Sequence, residues 1–355
     1  MRTEIVDLSQ YQCIPTKEEY FKHPALSYST LKDIYYNPQL LERDRKTSSY
    51  MDLGSAVDIL LTSVDEIDRI QIINKLPADN YRNMADFILN NYPDILKTED
   101  ISDKIILEAY DHVDSQARWL IDTKRKNFIQ NAETYFNVLA LNSEAILLTP
   151  DLHSLAMNIS TMLKNHELTK HLFTKKEDIQ VFFQFKTLYK VNDVEYKAMF
   201  DILELDNKNE TIKIYDLKIG NYSFMSSFLQ FKWYYQAVLY QTALDSLADE
   251  LMSDSNIVYT LEPFTFIYVN TMNPTYPTLY TMPSKLSNII LEEGINQGFY
   301  RIPAVKDLYM AATYYLEQLA TSSKEIKDLV PYEYFIHDGN IPITHSYKEK
   351  FSLVY

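Results

Sequence analysis

The sequence predicts an α/β protein of the α+β kind: a central mixed sheet with an antiparallel meander, flanking helices and a helical insertion. Three observations predict it. Residues 180–219 read as three strand-like runs separated by polar turns. Before them, from about Pro77 to Lys170, apolar residues recur at spacings of three and four. After them, helical patterns at 226–247, 284–297 and 304–320 enclose one more strand-like run at 263–270.

Residues 1–25 read as an irregular or short-strand leader. Ser27 to Lys32 opens a helix on a Ser or Thr cap, and Asn37-Pro38 breaks it. Residues 53–62 form a mostly apolar helix carrying one carboxylate, Asp58, with Gly54 and Ala56 permitting close packing. Helices follow at 104–124, 128–141 and 152–164. Strand 180–189 turns at Asn192-Asp193 into 196–205, which turns at Asp206–Glu210 into 211–219. The strand at 263–270 belongs beside the strand of Asp216. The expected division is an N-terminal helical part at 1–76 and a helical insertion or cap at 77–175. The sheet with its flanking helices takes 176–325, and a tail of weak periodicity follows at 326–355.

Composition excludes several classes. Five glycines among 355 residues, with no GxGxxG or GxxxxGK run, argue against a nucleotide-cradling glycine loop. One cysteine, Cys13, excludes an intrachain disulfide and any multi-cysteine metal site, and fits a reducing, cytoplasmic setting. The charged stretch from Arg2 predicts no secretory leader, and no apolar run is long enough to predict a membrane span. A net charge of −15 opposes long-range attraction of nucleic acid but leaves room for a local basic groove. The 29 tyrosines read chiefly as amphipathic core filling, with base stacking the other use.

The chemistry concentrates in the second hairpin. Folded symmetrically about Lys208–Asn209, it sets Asp201 opposite Asp216, and Lys218 follows Asp216 on the same strand face. Two carboxylates beside a lysine suit Mg²⁺ or Mn²⁺, with a cation placed to orient water. An edge-strand aspartate facing water and a solvated Asp–Lys pair are the bland alternatives. On the following helix, Gln236 and Tyr240 share a face, with Lys232 one turn earlier. They suit water or phosphate contacts, or else a helix flank and the core. The histidines, His23, His112, His153, His166, His171, His337 and His345, show no close metal-ligand spacing.

This ordered set resembles the PD-(D/E)xK nuclease superfamily, most closely its phage-type RecE-like exonucleases, with RecB- and Cas4-type relatives. Residues 26–32 with Leu53-Gly54-Ser55-Ala56-Val57-Asp58 look like the family's N-terminal helical signature. Phe200-Asp201 and Asp216-Leu217-Lys218 match its Pro-Asp and Asp/Glu-x-Lys core. Gln236 to Tyr240 matches its Gln-x-x-x-Tyr helix. The resemblance implies a restriction-endonuclease-like core and makes Asp201, Asp216 and the Leu217 carbonyl metal ligands. Lys218 would position water, and Gln236 and Tyr240 would support the scissile strand. Phe200 departs from proline, and Asp58 stands where the family has a metal-binding histidine. A carboxylate there suits Mg²⁺ or Mn²⁺. It equally suits a member that binds without cutting efficiently.

What the resemblance implies of function is a metal-dependent deoxyribonuclease. It would be an exonuclease on linear duplex ends, serving recombination or replication for a phage or prophage in a bacterial cytoplasm. A homo-oligomer and a single-strand annealing protein are the implied partners. Ser29, Lys32, Arg43 and Lys232 are the candidate nucleic-acid contacts. A nuclease-fold module that binds DNA or protein without catalysis stays open, as does RNA or single-stranded substrate.

Overall fold

A computed structural model describes residues 6–42, 49–116, 118–255, 257–297 and 300–321, with Glu325 and Tyr332. One unit comprises Met1–Asp44, Glu167–Asn270 and Pro277–Tyr355; the other comprises Arg45–His166 and Thr271–Tyr276. The leader, expected to be irregular, contains a 3-10 turn at Leu8–Tyr11 and helix α1 (Lys17–Lys22). Its cause is a capping box. The Thr16 hydroxyl accepts the Glu19 N–H, and the Glu19 carboxylate accepts the Thr16 N–H. Helix α2 (Tyr28–Tyr36) opens as expected on Ser27, whose hydroxyl accepts the Thr30 N–H. It closes at Asn37, ahead of Pro38.

The second unit is mainly helical. It runs through α3 (Ser49–Thr62), β1 (Ile70–Ile72), α4 (Asp79–Asn91) and α5 (Asp103–His112), then α6 (Ile121–Leu141), β2 (Ile146–Leu148) and α7 (Pro150–Asn165). Strands β1 and β2 pair in parallel, a ribbon too short for periodicity to reveal. The helix expected at 104–124 does not run through. The chain turns between His112 and Ile121, where Asp114 and Gln116 take left-handed φ values of 47° and 52°. Helix α6 then crosses the expected gap at 125–127, and the Lys124 carbonyl accepts the Tyr110 hydroxyl at 3.0 Å. Met84, Ile88, Ile106, Tyr110, Phe128 and Phe136 form this unit's core.

The remainder of the first unit holds β3 (Ile179–Val191), β4 (Val194–Asp206), β5 (Thr211–Gly220), α8 (Phe224–Gln230) and α9 (Trp233–Ser255). After these come β6 (Thr260–Leu261), β7 (Thr265–Asn270), β8 (Thr278–Thr281), α10 (Ser284–Glu292), β9 (Ile295–Gln297), β10 (Tyr300–Ile302) and α11 (Val305–Thr321). The sheet order is β3-β4-β5-β7-β8, with β6 paired to the start of β5. The first three strands form the expected antiparallel meander, and β7 lies parallel to β5 as expected, so the sheet is mixed. Asn192 and Asp193 adopt φ of 50° and 64°, the double left-handed turn that matches strand twist. Helix α9 buries every residue from Tyr234 to Tyr240, and from Gln241 on it turns amphipathic, burying Ala243, Leu244, Leu247 and Leu251 while Asp245, Asp249 and Glu250 face solvent.

Two helix expectations need correction. The single helix at 226–247 is two, because Phe231 and Lys232 form a turn with Lys232 at φ 57°. No Gly or Pro marks that break, and Lys232 is therefore not a turn of α9. The helix at 284–297 ends at Glu292. Gly294 (φ 68°) donates its N–H to the Ile289 carbonyl and reverses the chain into β9. Among the described residues no helix is long and apolar enough to cross a membrane. Apart from Tyr332, the tail expected at 326–355, with His337 and His345, lies outside the described residues.

Candidate active site

The β4–β5 register pairs Ile202 with Tyr215 and Asp206 with Thr211, so its continuation sets Asp201 against Asp216 as the hairpin symmetry predicts. The strand is not simply alternating there. Tyr196, Ala198 and Phe200 enter the core on one side of Asp201, whereas Leu203 and Leu205 do so on the other. Opposite Asp201 on β3, Gln184 takes φ 52°, a left-handed residue in mid-strand. This local kink changes the phase of the pleat and keeps an apolar face on the core along both halves. Asp201 is then free to turn across to β5, where its Oδ2 accepts the Leu217 N–H at 2.9 Å.

Asp216 shares its strand face with Ile212 and Ile214 and has 0% exposure. Its Oδ1 accepts a hydrogen bond from Gln236 Nε2 on α9 at 2.7 Å. Its Oδ2 lies 2.5 Å from Lys218 Nζ. That approach is a tight ion pair, the ammonium acting directly on the buried oxygen. Lys218 is 18% exposed and its ammonium also sits 5.5 Å from the centre of the Trp233 ring.

Burial dominates the electrostatics. It pushes the Asp216 carboxyl up to about 7, against the pull of Lys218 and with the Asp201 charge adding to the rise. Burial also raises Asp201, while Lys218, the Leu217 N–H and Lys17 on α1 draw it back. Tyr240 is held far above the ordinary phenol range by burial, with Tyr20, Asp216 and Asp201 contributing. It is therefore a neutral hydroxyl beside both carboxylates. Its ring meets Phe200 edge-on at 5.4 Å.

The donor set fits a hard divalent cation. Two facing carboxylates, one of them fully buried and paired with a lysine, supply anionic oxygen where burial otherwise penalises it. Among the described residues no group of three or more His, Cys, Asp or Glu side chains is gathered for a metal. Mg²⁺ commonly takes one or two carboxylates, with water and phosphate completing its shell. Asp58 lies on α3 of the helical unit, half-buried, its carbonyl accepting the Thr62 hydroxyl at 2.8 Å.

The candidate nucleic-acid contacts divide. Lys32 and Lys232 gather around tyrosines of α2: Lys32 Nζ stands 5.6 Å from the Tyr28 ring centre, and Lys232 Nζ 4.6 Å from that of Tyr36. Ser29 is engaged at the start of α2, its hydroxyl 3.0 Å from that of Ser27. Arg43 lies outside the described residues.

Four residues escaped the sequence reading. Tyr28 donates to the Phe231 and Lys232 carbonyls at 2.9 and 3.1 Å; burial first, then Asp216, raises its phenol. Trp233 carries the Lys218 ammonium, Lys17 acts on Asp201, and Gln184 forms the kink opposite it. Only Lys17 had a legible signal, the Thr16–Glu19 capping box that places it on a helix.

No protein-family model matches the chain, and no curated protein matches it. Among solved structures, one from Eubacterium rectale described as a "putative exonuclease" aligns with a TM-score of 0.45 and 11% identity. The alignment covers 87% of this chain and 88% of that one.

Proposed function

We propose that this chain is a metal-dependent nuclease that hydrolyses DNA phosphodiesters at the Asp201–Asp216–Lys218 site. The observation that carries the reading is the buried Asp216 carboxylate. One oxygen is held by Gln236, and the other is paired with the Lys218 ammonium at 2.5 Å, facing Asp201 across the hairpin. Such a cluster is costly to keep in a structural role.

Asp201 and Asp216 would hold Mg²⁺ or Mn²⁺, joined by the Leu217 carbonyl and, on the family resemblance, by Asp58. When bound, the ion polarises the phosphate and stabilises the charge that develops on it. Gln236 fixes one Asp216 oxygen and thereby orients the carboxylate. Lys218 holds a cation against the other and is placed to orient the attacking water. Tyr240, neutral at working pH, serves as a hydroxyl donor towards the strand. Water adds in line to phosphorus, the bond to the 3′ oxygen breaks, and that oxygen takes a proton. The products are a 5′-phosphate and a 3′-hydroxyl.

The finer reading follows the family resemblance: an exonuclease on linear duplex ends, in phage-type recombination or replication, as an oligomer with an annealing partner. One combination favours a second reading, a non-catalytic DNA- or protein-binding module: the net charge of −15 and the lack of a third gathered ligand among the described residues.

The test incubates the purified chain with linear and closed-circular duplex DNA in Mg²⁺, Mn²⁺ or EDTA, beside Asp216→Ala and Lys218→Ala. Metal-dependent loss of linear DNA, abolished in both variants, is the expected result. Cleavage by Lys218→Ala at the wild-type rate removes the lysine's role. No cleavage in any metal supports the binding module instead.

A further inference from the structure

We infer that Phe231 is a stacking platform for an unpaired nucleobase of the strand whose phosphate reaches Asp216 and Lys218. This inference rests on the nuclease reading and deepens it by naming the strand state that the site takes. Phe231 is 47% exposed, in the turn between α8 and α9. Exposure of one phenylalanine means little by itself. What distinguishes this one is that its ring is backed and aimed.

Phe231 stacks on Trp233 with centroids 5.8 Å apart and planes at 27°, and Trp233 stacks in turn on Phe266 of β7 at 6.1 Å and 29°. Trp233 also carries the Lys218 ammonium at 5.5 Å. A continuous aromatic row therefore runs from the candidate catalytic lysine to an exposed ring, within the reach of a nucleotide or two.

The turn is fixed as well. The Tyr28 hydroxyl reaches the carbonyls of both Phe231 and Lys232, and the Phe231 N–H is held by the Ser227 carbonyl at 2.9 Å. Lys232, the residue after Phe231, sits in the left-handed region, where glycine costs least, and its ammonium stands over the Tyr36 ring. The Lys32 ammonium stands over the ring of Tyr28, the residue that holds the turn. An aromatic face with two ammonium groups suits a base and its flanking phosphates. In a chain of net charge −15, contact of this kind also supplies affinity that long-range attraction does not. A base inside a duplex keeps both faces on its neighbours, so the platform takes a single-stranded or frayed nucleotide, or at most the outer face of a terminal pair.

The experiment uses the full chain in EDTA, which prevents cleavage, with fluorescein-labelled oligothymidylate and an abasic deoxyribose-phosphate strand of equal length. Binding is read by anisotropy. Trp233 quenching is read in a Trp119→Phe background, because the chain has two tryptophans. The base-bearing strand is expected to bind roughly 5- to 100-fold more tightly and to quench Trp233. Phe231→Ala should remove most of that ratio, and Phe231→Tyr should preserve it. Equal wild-type affinity for the two strands overturns the platform while leaving the nuclease reading intact, as does an unchanged ratio in Phe231→Ala. Binding of neither strand overturns the platform, and the cleavage assay above decides the nuclease reading separately.

Discussion

Replacing Asp216 by Asn should make the metal-free protein more stable at alkaline pH while destroying the site. The carboxyl is fully buried, and burial raises it from an ordinary value of 3.8 to about 7. A carboxyl raised on folding binds its proton more tightly in the folded state. Its stabilising contribution is complete below about pH 4 and is lost as pH rises through about 7. At roughly 1.4 kcal/mol per tenfold change in proton affinity, the whole loss approaches ~4 kcal/mol, of which about 2 kcal/mol falls between pH 5.5 and 8. Asn does not titrate. Its amide oxygen can still accept from Gln236, while the Lys218 ammonium loses its charge partner. That partnership exists only where Asp216 is ionised, near pH 8, and its pull is already contained in the value of about 7, so the difference between the two pH values stands. The stability of Asp216→Asn relative to wild type should therefore be about 2 kcal/mol more favourable at pH 8 than at pH 5.5. This corresponds to a change of about 3 °C in the Tm difference for a chain of 355 residues. Thermal melts in EDTA at the two pH values measure it. A Tm difference independent of pH, or one that favours the variant at pH 5.5, would refute the assignment of Asp216 as the buried titrating group.

Two further substitutions probe the turns that shape this unit. Lys232→Gly relieves a left-handed lysine at φ 57°, so stability should hold or rise by up to about 1 kcal/mol. DNA affinity should fall, and the slope of log K against log salt should shrink by about 1. Melts and a salt titration check both, and a loss of stability with unchanged affinity would contradict the role given to Lys232. Gly294→Ala should destabilise by at least about 2 kcal/mol. At φ 68° the added Cβ would lie 2.3 Å from the Ile302 carbonyl oxygen, a backbone atom that cannot swing aside, and a melting curve within 1 °C of wild type would contradict that clash.

The central hairpin was legible because its register depends on symmetry about a polar turn. Any slip would have moved Ile212 and Ile214 to the wrong face. The position of β7 beside β5 followed from its strand-like run and its place after a helix. What escaped were features made by backbone conformation rather than side-chain pattern. The pleat changes phase at Gln184 and Asp201, and the α8–α9 turn is carried by Lys232. Both use left-handed residues that are not glycine, so no composition signal marks them. The first two turns of α9 are buried on all sides, which hides the start of the helix from periodicity. Lys32 meets Tyr28 through four-residue spacing on α2, whereas the Lys232 contact depends on where Tyr36 lands after folding.

Net charge and site charge pull in opposite directions here, and their balance predicts how salt should act. Among the described residues, Lys17 acts on Asp201, and Lys32 and Lys232 stand over tyrosines of α2, besides Lys218, which Asp216 already engages. Three phosphate contacts on a single strand would give a slope of roughly −2 in log K against log salt, at about 0.7 per contact. The remaining surface carries the excess that makes the chain −15, and it repels the same strand at distances beyond a Debye length of about 8 Å. Added salt screens that repulsion before it weakens the close contacts. The association rate should therefore stay flat or rise between 25 and about 150 mM salt while the dissociation rate increases. Stopped-flow anisotropy with the single strand in EDTA separates the two rates. An association rate that falls steeply with salt, or an equilibrium slope near −6, would mean that the strand binds a basic surface other than the one around Tyr28 and Phe231.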